Sequence, residues 1–222
     1  MEKIDILSLD LKELEAALVE MGEKKFRAKQ IFQWLHVKKV LDFDKMTDIS
    51  IQLRERLKEN FCINGLFVQK RLESCIDNTV KYLYRLSDGN FVETVLMEYS
   101  YGYSLCISTQ VGCNMACAFC QSGRFKKVHN LTAAELVSQM IAVQKLTDCT
   151  IQNVVLMGIG EPFDNYDNIM QFLEIIMHPQ GLAIGKNHIT VSTCGIAPKI
   201  NDYAMHPQHG LLAISLHAPD DN

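Results

Sequence analysis

Three cysteines, Cys113, Cys117 and Cys120, stand in a C-x3-C-x2-C run among small residues that include Gly112, Ala116, Ala118, Ser122 and Gly123. Thiolates at this spacing suit an iron–sulfur cubane, which they would hold through three of its irons, leaving the last open for chemistry. Structural zinc normally takes four ligands from paired C-x2-C units, and no second pair exists in the chain. A second constellation is Gly158, Gly160, Glu161 and Pro162, where bare glycines let backbone approach a cofactor and a carboxylate could hold an ammonium. Taken alone, G-x-G-E-P is an ordinary turn. Ser192 and Ser215 could hydrogen-bond a ribose or a carboxylate, and His217 could donate. Ser215 and His217 alternate with apolar neighbours at a strand end, where polar groups facing a ligand are expected. Cys106 in a buried strand reads as a small apolar filler, and Glu93 as an ordinary strand carboxylate.

The elements that must position these residues fall into two patterns. The front of the chain is helical. Asp10 with Glu13 forms a capping box, Leu11, Leu14, Leu18 and Met21 share a face, and Gly22 ends that helix. A second helix is predicted from about Arg27 to Lys38, burying Ile31 and Leu35 with Phe32 or Trp34 at the margin, and a third starts at Ser50 and buries Leu53 and Leu57. From Leu66 the period changes to two, and strands at Thr79–Leu86 and Phe91–Met97 flank the turn Ser87-Asp88-Gly89-Asn90 as a tight hairpin. After residue 102 strands and helices alternate: strand 103–109, helix 132–146, strand 153–157, helix 166–177, strand 188–193, a short crossover at 197–205, and strand 211–216. That alternation implies an α/β fold with a parallel sheet. The expected organisation is a helical accessory domain over 1–64, a β-hairpin linker over 65–102, and an α/β core over 103–222. The chain stops where a further helix should begin, so the sheet is expected to be incomplete at its carboxyl end.

The 222 residues are 48% apolar and 22% charged, which excludes disorder and fibrous folds. No signal peptide or membrane-length apolar run is present, so a cytosolic protein with free thiols is expected. Net charge is −4, which argues against a uniformly basic nucleic-acid binder. The basic residues nevertheless cluster: Lys24, Lys25, Arg27, Lys29, Lys38 and Lys39 fall together with Glu23 as the only neighbouring acid, and Arg124, Lys126 and Lys127 form a second group. Such runs usually mark solvated faces, and phosphate contact is the sharper alternative.

With Phe119 just before the last cysteine, the cysteine motif resembles that of the radical S-adenosylmethionine (SAM) superfamily. The string Cys106-Ile107-Ser108-Thr109-Gln110-Val111-Gly112-Cys113, then Asn130-Leu131-Thr132, Gly158 to Pro162 with Asn165-Tyr166, Ser192-Thr193, and Ile214 to Pro219 is similar to the radical-SAM ribosomal RNA adenine methyltransferases. The segment Gly22 to Cys62 also resembles the amino-terminal accessory domain of that family. The resemblance implies a partial (β/α) barrel, a [4Fe-4S] cluster on Cys113, Cys117 and Cys120, and SAM contacts from Gly160, Glu161, Ser192, Ser215, Leu216 and His217. It also implies methylation of carbon 2 of an adenine in 23S ribosomal RNA, in some members of a tRNA adenine too, with an electron donor such as flavodoxin or ferredoxin and no membrane partner. In this chemistry a methyl-carrying cysteine near the carboxyl end delivers the group. Cys106 matches the resolving cysteine, and Glu93 the general base.

Carbon 2 of adenine is not nucleophilic enough to take a methyl from SAM directly, which is why a radical route is needed. The resemblance has gaps. No cysteine matches the methyl carrier, so this chain is expected to be truncated and inactive alone, with that cysteine about 130 residues further on. The family commonly carries Gly-Phe where Lys126-Lys127 stand. Pro162 favours the carbon 2 branch over a carbon 8 branch. Competing readings are another radical-SAM reaction class and a non-catalytic iron–sulfur or zinc module.

Overall fold

The computed structural model describes residues 3–218. Strand β1 (Ile4–Asp5) leads into helix α1 (Leu11–Glu20), whose Asp10 and Glu13 form the expected reciprocal capping box. Helix α2 spans Phe26–His36 and helix α3 spans Ile51–Asn60, capped by Ser50. Strand β2 (Phe61–Cys62) returns to pair in parallel with β1 and closes the helical module. Leu14, Leu18, Ile31, Leu35, Leu53 and Leu57 are buried as their spacing requires. Of the two candidates for the margin, Phe32 is fully buried, because its ring reaches out of the module to Gly181 and the His178 ring. Trp34 alone takes the margin.

The change of period at Leu66 produces β3 (Phe67–Glu73), followed by the hairpin β4 (Val80–Arg85) and β5 (Phe91–Tyr99). Gly89, at φ +89°, makes the turn between them. Strand β6 (Gly102–Cys106) follows after two residues, too short a connection for anything but antiparallel pairing with β5. The hairpin therefore continues the main sheet. A small ribbon, β7 (Gln110–Val111) with β8 (His129–Asn130), comes next. Then helix α4 (Ala133–Thr147), β9 (Ile151–Leu156), α5 (Tyr166–Met177), β10 (Ile189–Thr193), α6 (Ala197–Met205) and β11 (Leu211–Ile214) alternate as the sequence pattern predicts. The seven-stranded order is β11-β10-β9-β6-β5-β4-β3, with β6, β9, β10 and β11 parallel. This is the partial (β/α) barrel.

Along β4, β5, β9 and β10 buried residues alternate with half-buried or exposed ones, so one face packs under helices and the other is a half-open concave wall. Gln139 of α4 fastens the packed face. Its Oε1 accepts from Thr94 Oγ1 (2.8 Å) and Ser108 N (3.0 Å), and its Nε2 donates to Ser108 O (2.9 Å), all without solvent. Gln139→Leu leaves these groups buried and unpaired, and a loss of about 2–4 kcal/mol in urea unfolding is expected. A loss below about 1 kcal/mol would contradict this role for the amide.

Candidate functional site

The cysteines sit in a loop whose neck the β7–β8 ribbon closes. Within it Cys113 N donates to Phe125 O (2.9 Å), Val128 N to Val111 O (2.7 Å), and Cys120 N to Cys117 O (3.0 Å). Gly112, at φ +74°, passes so close to the Lys126 carbonyl that no side chain fits there. Ala116 also takes a positive φ, +51°. The loop is thus built by its own backbone, with the thiols left free of disulfides. Burial, with added repulsion from Cys117, Glu161 and Cys120, pushes the Cys113 thiol up, which places these groups in mutual electrostatic reach. Among the described residues no three His, Cys, Asp or Glu side chains converge to ligate one metal ion. The three thiols instead line one cavity of about 330 Å³. That donor set fits a polynuclear cluster, in which each thiolate takes a different iron.

Across the cavity lies the segment after β9. Gly158 and Gly160 line the cavity and also pack tightly behind it: a Cβ on Gly158 would lie 2.6 Å from the Ile107 carbonyl oxygen, and one on Gly160 2.7 Å from Gln110 and Thr109. They let the chain pack on the strand end that enters the cysteine loop. Glu161 is 4% exposed, and its carboxylate is fixed by two backbone donors, Phe163 N to Oε1 (3.0 Å) and Cys194 N to Oε2 (2.8 Å). A carboxylate has about four lone-pair sites, so capacity remains for a cation from the cavity.

Gln110 aligns this segment. Its Oε1 accepts from Glu161 N (2.9 Å), and its Nε2 donates to Asn130 Oδ1 (2.7 Å) and Asp164 Oδ2 (2.8 Å). Lys127 Nζ joins at 2.6 Å from the same Asp164 oxygen. Burial alone would raise the Asp164 carboxyl, but the hydrogen bonds from Lys127 and Gln110 outweigh it and hold the group below the usual carboxylate range. Lys127 thus ties the exit of the cysteine loop to the segment after Glu161.

Gly160, Glu161, Ser192, Ser215 and His217 join Cys113, Cys117 and Cys120 around the one cavity. Ser192 Oγ and Ser215 Oγ lie 3.1 Å apart on adjacent strand ends, and the His217 ring rests 4.0 Å from that of Phe119. Leu216 is outside the wall, 76% exposed, with its backbone N bonded to Ile214 O. Glu93 and Cys106 line no part of this cavity. Both lie on the concave face of neighbouring strands, since Cys106 registers with Val95, two residues from Glu93. Glu93 pairs with Lys81 at 3.1 Å and borders a second cavity of about 660 Å³, which also touches the cysteine loop through Ser122. Cys106 ends β6 half-buried, and burial pushes its thiol up.

Sequence reasoning missed Gln110 as an alignment point and Cys194 as part of the wall. Cys194 has its thiol pushed up to about 11 by burial first and by its hydrogen bond to Glu161 second. Only its place just after Ser192-Thr193 pointed to it.

Residues 4–63 match the ribosomal RNA large subunit methyltransferase N-terminal domain, and residues 107–222 match the radical SAM superfamily. Relatives described as probable dual-specificity RNA methyltransferases RlmN include one from Thermoanaerobacter sp. (strain X514), 50% identical over 98% of this chain and 63% of its own length. Another, from Alkaliphilus oremlandii, is 52% identical over all of this chain and 64% of its own. A crystal structure of a radical SAM methyltransferase from Sphaerobacter thermophilus superposes with a TM-score of 0.91 at 38% identity, covering 98% of this chain and 65% of that one. The chain spans less than two thirds of the length of each of these proteins.

Proposed function

The chain belongs to the radical SAM superfamily, carrying the amino-terminal domain of its ribosomal RNA large-subunit methyltransferases, and from that membership we propose that it serves methylation of carbon 2 of an adenine in 23S ribosomal RNA, with a tRNA adenine as a second target. The observation that carries this reading is the meeting of Cys113, Cys117, Cys120, Glu161, Ser192, Ser215 and His217 around one cavity. Membership implies a [4Fe-4S] cluster and SAM, which together supply a 5′-deoxyadenosyl radical when bound.

In this proposal the three cysteines hold the cluster, and Glu161, fixed by two backbone amides, accepts from the SAM ammonium. Ser192 and Ser215, 3.1 Å apart, take ribose or carboxylate oxygens, with His217 donating and Gly160 and Leu216 lending backbone. Glu93 receives the proton that leaves the adenine carbon, and its pairing with Lys81 engages only Oε2. Cys106 would resolve the protein–RNA adduct as a thiolate, its sulfur bonding to that of the methyl-carrying cysteine as that cysteine's bond to the transferred carbon breaks and leaves its electron pair with the base adduct; burial pushes the Cys106 thiol up. The methyl carrier has no counterpart among the cysteines of this sequence. Residues 1–64 act as the RNA-binding accessory domain, and 65–102, whose strands extend the main sheet, join it to the core of 103–222. Among the described residues no helix is long and apolar enough to cross a membrane. A cytosolic setting and a soluble electron donor such as flavodoxin or ferredoxin belong to the proposal.

Anaerobic reconstitution tests the reading. The chain should give a cubane electron paramagnetic resonance signal that SAM perturbs, while RNA incubated with it gains no methyl group. Tight zinc binding with no SAM effect would remove the proposed function. Methylated RNA from this chain alone would overturn the assignment of a separate methyl-carrying cysteine.

A further inference from the structure

The basic run at residues 24–39 is split by the fold. Lys24 and Lys25 lie at the start of α2, while Lys38 and Lys39 follow its end. There they meet Lys45, from the loop before α3, and Lys145, from the last turn of α4, around an open cleft of about 620 Å³ between the helical module and the core. Two acids, Asp42 and Asp148, share the wall, and only Lys45 has an ion-pair partner among the described residues, a loose 3.9 Å contact with Asp42. Lys38 Nζ is held 3.4 Å over the Trp34 ring, which fixes the ammonium at the rim.

Two features are costly unless something else uses them. Lys39 takes φ +55° at a helix end where glycine is the usual residue. Gln144, only 5% exposed, lines the cleft, and its Oε1, shut off from solvent, has no hydrogen-bond partner among the described residues. Lysines near helix carboxyl ends also offset the helix dipole, but that accounts for neither the buried amide nor the convergence of three separate elements.

We propose that this cleft binds the sugar–phosphate backbone of RNA. Lys38, Lys39, Lys45 and Lys145 contact phosphates, and Gln144, turning its amide out of its sealed position, hydrogen-bonds a ribose 2′-hydroxyl, a group that both donates and accepts and so suits either orientation of the amide. The inference rests on the RNA reading above and deepens it, since it names where the strand is gripped and why RNA is preferred to DNA.

The test compares binding of an RNA hairpin of unrelated sequence, and of the matching DNA, by the 222-residue chain and three variants across a salt series. The variant Lys38→Ala/Lys39→Gly/Lys45→Ala/Lys145→Ala should bind RNA about 30- to 100-fold more weakly at low salt. Its slope of log affinity against log salt should be shallower by about 3. Lys24→Ala/Lys25→Ala should change neither by more than a few-fold. Gln144→Leu should lower affinity for RNA several-fold and leave DNA binding unchanged. An unchanged slope in the quadruple variant overturns the cleft, whether or not that variant melts earlier, because loss of helix-end stabilisation alone also predicts earlier melting. Equal losses in the quadruple and the Lys24/Lys25 variants would reduce the effect to net charge and overturn it too. Equal losses of RNA and DNA binding in Gln144→Leu would overturn the ribose contact. If the parent chain itself fails to bind RNA at low salt while its cluster still responds to SAM, the RNA reading falls and the cleft with it.

Discussion

Replacing Gly160 by alanine should destabilise the chain by about 3–5 kcal/mol and abolish the effect of SAM on a reconstituted cluster. Two costs coincide at this residue. Its φ of +107° lies where side-chain-bearing residues are strained, a cost of about 1–3 kcal/mol. Its added Cβ would also sit 2.7 Å from Gln110 Cβ and Cγ and from Thr109 Oγ1. Gln110 cannot swing aside freely, because its amide already holds Glu161 N, Asn130 and Asp164. Any retreat breaks those bonds and releases the backbone that presents the Glu161 carboxylate. Two other glycines separate the two costs. Gly195 has φ +111° with nothing within 4 Å of where a Cβ would stand, so Gly195→Ala carries strain alone. Gly158 carries the clash alone, against the Ile107 carbonyl at 2.6 Å. Urea unfolding of the three variants should rank Gly160→Ala as the least stable, with SAM response lost at 158 and 160 and kept at 195. Equal unfolding midpoints for Gly160→Ala and Gly195→Ala would show that the contact with Gln110 does not matter.

How far the site could be read in advance depended on the range of the interactions involved. The cysteine loop and G-x-G-E-P are local strings, and the alternation of strands and helices placed them at adjacent strand ends, so their meeting around one cavity was legible. The capping box at Asp10 was equally local, closed within three residues. Gln110 and Gln139 were not legible, because each works through partners far away in sequence: Gln110 through Glu161 and Asp164, Gln139 through Thr94 and Ser108. A glutamine inside an apolar pattern carries no mark of what it will bond. The margin position on α2 stayed open between two residues for the same reason. Phe32 and Trp34 are equivalent candidates until α5 and the loop after it bring His178 and Gly181 to one of them. The glycines acquired a second reason, since spacing suggested room for a cofactor and the geometry adds close packing on the strand end that enters the cysteine loop.

The burial of His36 was invisible in the sequence as well, and it should dominate the response of stability to mild acid. The ring is fully buried beside Phe32, with centroids 4.2 Å apart, and neither Nδ1 nor Nε2 has a partner among the described residues. Burial, with a smaller repulsion from His178, pushes its pKa from the ordinary 6.5 down to about 3. The unfolded chain therefore takes up a proton at this site below pH 6.5 while the folded chain refuses it until about pH 3. Stability is fully present above pH 6.5 and falls by about 1.4 kcal/mol per pH unit as the pH drops through that window. Carboxylates add their own acid dependence below about pH 5, so the clean interval is the upper part of the window. His36→Phe removes the titrating group and two unsatisfied polar atoms while keeping a ring in the space. Urea unfolding at about pH 7 should show it at least as stable as the parent, with about 1–3 kcal/mol gained if the larger ring fits. Between about pH 6.5 and 5 the parent should lose about 2 kcal/mol relative to the variant. Parallel stability curves for the two proteins across that interval would mean that His36 finds a proton acceptor in solution, and that the interface between α2 and the segment after α5 opens to let it charge.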